Sequence, residues 1–101
     1  MNYKDALNRC YELIDLDRSY AEDIKKIHNY QRSPYNTTFI NAVANYTANV
    51  IYPFVNELSN KIHNGEVIDP SWVDCNMEKF EKQVNAHKMT RDGLLNGSYV
   101  W

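Results

Sequence analysis

The sequence predicts an all-α protein, a four-helix bundle-like single domain spanning residues 1–101. Apolar residues recur at gaps of three and four in four successive stretches, the spacing that puts them on one helical face. An acid-first charge pair at i, i+4 falls in each stretch: Asp5–Arg9, Glu22–Lys26, Glu57–Lys61 and Glu78–Lys82. Sustained two-residue alternation, the mark of a half-buried strand, is absent.

The first helix runs from about Tyr3 to Leu16, with Tyr3, Leu7, Cys10 and Ile14 on its apolar face. Neither Gly nor Pro breaks residues 15–18, but Ser19 followed by Glu22 has the form of a capping box. A second helix is therefore placed from Ser19, carrying Tyr20, Ile24, Ile27 and Gln31. Pro34 disfavours helix at Ser33 and marks 32–36 as a loop. The third helix spans about Thr37 to His63, with Ile40, Val43, Thr47, Val50, Phe54, Leu58 and Ile62 as its stripe. Pro53 lies inside it and is expected to kink it, freeing the Asn49 carbonyl. Asn64-Gly65 supplies a left-handed stop. Asp69-Pro70, an N-cap followed by proline at the first helical position, opens the fourth helix. Val73, Met77, Phe80 and Val84 form its stripe, and Arg91-Asp92-Gly93 ends it. A short apolar and aromatic tail, Leu94 to Trp101, closes the sequence.

Composition narrows the function classes. A hydrophobic fraction of 44% and a charged fraction of 24% are those of a globular domain. The net charge of −2 argues against nucleic acid as a partner, because phosphate neutralisation needs a basic excess. No apolar run approaches the ~20 residues of a membrane span, and the first residues lack the basic-then-apolar layout of a signal peptide. A cytoplasmic protein without membrane attachment is expected. Cys10 and Cys75 both fall at apolar helical positions and read as buried free thiols. Asn, Lys, Ile and Tyr share AT-rich codons, which suggests a phage or low-GC bacterial gene.

Motifs for chemistry are absent. The three glycines stand singly, so no phosphate-cradling loop exists. His28, His63 and His87 show no metal-ligand spacing with the cysteines. Asp15-x-Asp17-x-Ser19 opens like a calcium loop, but Tyr20 and Lys26 stand where Gly and Glu are needed. Neither an enzyme nor a cofactor or metal is predicted.

The unusual pattern is an amide face on the third helix. Asn41, Asn45, Asn49, Asn56 and Asn60 span an arc of roughly 100° at 100° per residue, with Tyr52 inside it and Tyr46 at its edge. Asn is a poor helix former, whereas Asn and Tyr are favoured in binding patches. The expected function is a non-catalytic protein-binding module of inhibitor, immunity or adaptor type. Its partner-binding candidates are Asn45, Asn49, Tyr52, Asn56, Tyr99 and Trp101, the last two in a tail through which a homo-oligomer would also form. In length and layout alone, the chain is similar to small bacteriocin-immunity and phage-encoded inhibitor proteins. The alternative is a small-ligand or nucleotide-binding helical oligomer using Lys25, His28, Arg32 and Tyr35, where basic and aromatic groups cluster.

Overall fold

The computed structural model describes residues 2–28 and 34–97, excepting the His28 side chain. The described residues are helical almost throughout: α1 (Tyr3–His28), α2 (Pro34–Tyr46), a π turn (Thr47–Ile51), α3 (Tyr52–His63) and α4 (Pro70–Leu95). The α2 segment, the π turn and α3 follow one another without interruption, so the architecture is three rods rather than the expected four helices. No strand occurs among the described residues, and none of their helices is long and apolar enough to cross a membrane.

The extra helix boundary fails because residues 15–18 continue α1. Ser19 does not cap: its hydroxyl donates to the Leu16 carbonyl at 2.6 Å, a bond made inside a running helix. The start of α1 is instead held by Asn2, whose side-chain oxygen accepts from the Lys4 N–H at 2.9 Å. Asp69 caps α4 as its sequence predicts, accepting from the Ser71 N–H at 2.9 Å with Pro70 behind it. At the end of α3, Gly65 takes φ 67°. Its N–H bonds Ile62 O, and the Glu66 N–H bonds Lys61 O. This paired arrangement satisfies two carbonyls and requires a left-handed residue. The last helix runs through Gly93, which is buried, to Leu95, past the expected stop.

The second rod departs from a straight α-helix at the π turn, where the Tyr52 N–H donates to Thr47 O. One extra residue in a turn sets everything downstream back by about 100°. Burial follows that slip. Phe39, Val43, Thr47, Ile51 and Val55 are buried at four successive gaps of four, a run that would drift by about 40° per step on a straight helix. One residue of the expected stripe is consequently displaced: Val50 is 42% exposed, and Ile51, its neighbour outside that stripe, is fully buried. Ile62, at the rod's far end, is also exposed. The Thr47 hydroxyl reaches the Val43 and Ala44 carbonyls at 3.2 and 3.1 Å, covering acceptors where the register slips.

The core runs along the axis of a rod-shaped molecule of 50 × 18 × 16 Å. The first rod lies against both others and contributes Cys10, Leu13, Ile14 and Ile24, all essentially inaccessible. The other rods bring Val43, Ile51, Leu58, Val73 and Phe80 to the same cluster. Both cysteines are free, but Cys75 is exposed, two positions from Val73 and from Met77 of the α4 stripe. Of the four expected helix pairs only Glu78–Lys82 closes, at 2.9 Å. Arg9 turns across to α4 instead and grips both oxygens of Glu81, at 2.6 and 2.7 Å. Glu22 pairs with Lys25 at i, i+3, and Lys61 sits over the Trp72 ring.

Candidate functional site

Polar residues occupy two core positions. On α4 the stripe Val73, Met77, Phe80, Val84 continues by a gap of three to His87, so the imidazole is carried inward. On α1, Asp17 stands between Ile14 and Tyr20 in the same register and is 0% exposed. The two meet, with His87 Nδ1 2.7 Å from Asp17 Oδ1. His87 Nε2 lies 3.0 Å from the amide nitrogen of Gln83, one turn back on α4. Phe39 and Tyr46 stand edge-on to the imidazole, with centroids 5.9 and 5.7 Å away. The other oxygen of Asp17 is buried without a hydrogen-bond partner. Burial and, secondarily, the Asp17 charge push the Tyr46 phenol up to about 12.

Above this chain of side chains lies the seam between α2 and α4, the looser of the contacts these rods make. An opening of about 430 Å³ is lined by Ala42, Asn45, Tyr46, Asn49, Val50, Gln83 and His87. It shares Tyr46, Val50 and Gln83 with a neighbouring opening that adds Asn76, Lys79 and Lys82. On the other side, Ala42 and His87 also line a more apolar opening with Tyr35, Phe39 and Leu94. The three form one groove with His87 near its middle.

The amide face is only partly assembled there. Asn45 and Asn49 line the groove together, joined by Asn76 and Gln83 from α4. Tyr52 does not join them. The π slip turns it towards α1, where the Arg18 guanidinium lies 5.7 Å from its ring. Asn56, beyond the slip, is exposed on α3 away from the lining residues. Tyr99 and Trp101 lie outside the described residues. Among the alternative candidates, Lys25 lines an opening between α1 and α2, whereas Tyr35 lines the α2–α4 groove. Arg32 and the His28 side chain are not among the described atoms.

The sequence reading missed Asp17, Gln83 and His87. The available signal was register: a charged or titratable residue at a core position of an otherwise apolar stripe. Metal binding has no geometric support among the described residues, where no group of three or more His, Cys, Asp or Glu converges. Compared with protein-family models, curated proteins and solved structures, the chain matches none of them.

Proposed function

We propose that the protein is a non-catalytic binding module of inhibitor, immunity or adaptor type that receives a segment of a partner protein in the α2–α4 groove. The observation that carries this is the lining. Four side-chain amides, Asn45, Asn49, Asn76 and Gln83, surround the exposed Val50 and the edge of Tyr46. Asn45 and Asn49 carry both donors and an acceptor, whereas Asn76 and Gln83 each spend an N–H within the protein, on the Trp72 carbonyl and His87, and keep their acceptors. That composition suits a segment whose own peptide groups are unpaired, an extended strand or an irregular loop, better than a helix that has satisfied its backbone internally. Lys79 at one end favours an acidic residue there, beside Lys82, which is paired with Glu78.

The test is selection of random peptides on the intact chain, followed by calorimetry on the winners. Peptides with an acidic end should bind, and Val50→Arg should weaken them at least tenfold, about 1.4 kcal/mol. Lys79→Glu should reduce affinity for the acidic peptides in particular. Binders indifferent to both changes, or a selection that yields none, overturn the reading.

A further inference from the structure

The hydrogen-bond directions under the groove are fixed by chemistry. The Gln83–His87 contact joins nitrogen to nitrogen at 3.0 Å. An amide nitrogen only donates, so His87 Nε2 is the acceptor and carries no proton. A neutral imidazole then has its hydrogen on Nδ1, where Asp17 Oδ1 accepts it at 2.7 Å. With its NH2 turned inward, Gln83 is left with its carbonyl oxygen towards the groove that its side chain lines.

We propose that the chain Asp17–His87–Gln83 sets the hydrogen-bond polarity of the groove, presenting an acceptor to a partner while His87 is neutral and a donor once it is protonated. This rests on the groove being the binding surface, and it names the chemistry read there: a peptide N–H of the partner segment, aimed at Gln83 Oε1.

The inversion follows from counting donors. Protonated histidine has two N–H groups and no acceptor. Nδ1–H keeps Asp17, and the bond becomes charge-assisted. Nε2–H would then oppose the Gln83 NH2, donor against donor. Half a turn about the last torsion of Gln83, a broad and nearly two-fold rotor, brings Oε1 inward and sends NH2 into the groove. No backbone movement is required.

The groups around the imidazole leave this response to His87. From α1 it meets the carboxylate of Asp17. From the second rod it meets Phe39 and Tyr46, and the Tyr46 phenol holds its proton far above the range where a histidine titrates. On α4, Arg91 lies one turn on, but it is engaged with Asp23 and Asp92 at 2.9 and 2.8 Å. Lys79, one turn beyond Gln83, faces the far opening of the groove.

Nitrogen NMR on the intact chain tests the proposal without a partner. The neutral form of His87 should show the Nδ1–H tautomer, and the Gln83 side-chain NH2 should be protected from solvent exchange. Protection should be lost along the His87 titration curve. In Asp17→Asn, where it folds, the tautomer preference should weaken. An Nε2–H tautomer in the neutral form overturns the proposal, as does a Gln83 amide whose exchange ignores the His87 titration. Either result leaves the groove's peptide binding, measured through Val50→Arg, to stand or fall separately.

Discussion

At the scale of single residues, the Asp17–His87 contact couples two rods through a pair in which Asp17 is fully buried and only an edge of His87 reaches the groove. One Asp17 oxygen has no partner, and an unsatisfied buried acceptor costs about 1–3 kcal/mol. The pair is therefore expensive to break and cheap to replace. His87→Phe or Asp17→Leu alone should destabilise by about 3–5 kcal/mol, whereas the double replacement should be near neutral or stabilising by about 1–4 kcal/mol. Urea unfolding of the four proteins measures this, and additive single costs would disprove the coupling. Cys10 gives a second expectation. Burial first, and then the Glu81 charge, push its thiol from 9.0 to about 11. The unfolded thiol loses its proton near 9.0 while the folded one keeps it, so stability falls as pH rises from about 9 to about 11. Below that window this group contributes no slope. Tyr46, raised from 10.0 to about 12, extends the decline upward. In Cys10→Ala the alkaline loss should begin about one unit later, where the Tyr46 contribution starts, as denaturant titrations at stepped pH would show. No later onset would mean that Cys10 does not carry the effect. The placement of Asp17 and His87 in core registers was readable from Ile14, Tyr20 and Val84. Their pairing was not, because it joins positions far apart in the chain and depends on the rotation of α1 against α4.

At the scale of elements, the π turn is the feature that a fixed step of 100° per residue hides. The apolar spacing Phe39, Val43, Thr47, Ile51, Val55 contains the slip, yet Val50 and Phe54 offered an α-like alternative at gaps of three and four, and the Pro53 ring suggested a simple kink. Tyr52 and Asn56 were assigned to the amide face for the same reason. The turn also accommodates Pro53. A proline inside a continuous α-helix clashes with the carbonyl four residues back, at about 3 kcal/mol; here it sits in the first turn of α3, just past the widened one. Deleting Asn49 should restore α periodicity and keep Ile51, Val55 and Leu58 facing inward. The deletion should nevertheless cost about 3 kcal/mol, because it returns Pro53 to an α-helix interior, and adding Pro53→Ala should recover most of that loss. Thermal unfolding of the deletion with and without Pro53→Ala decides it. A deletion that unfolds the chain regardless of residue 53 would show that the π turn does more than carry the register.

At the scale of the whole molecule, charge and apolar burial are divided between the rods. Residues 34–56 contain no Asp, Glu, Lys, Arg or His, so α2, the π turn and the start of α3 can form no ion pair. The first and last rods are tied at both ends: Arg9 to Glu81 near one, and Arg91 to Asp23 near the other, with the Arg91 guanidinium 4.7 Å from the Tyr20 ring centroid. Surface pairs of this kind contribute about 0–1 kcal/mol each, but they act only between α1 and α4. The second rod is held by apolar packing, closely on α1 and loosely on α4 along the groove. Local opening begins where buried contacts are fewest. Amides of Pro34–Tyr46 should therefore exchange through a sub-global opening at lower free energy than those of α1 and α4, as native-state hydrogen exchange in rising urea would resolve. Because the pairs are screened by salt, adding salt should narrow the gap by lowering α1 and α4 more than α2. Equal protection of all three rods at every urea concentration would show that the α2–α4 seam is as firmly held as the others. Asn45 and Asn49 already stand exposed along the groove, so binding a segment there would raise the protection of α2 first.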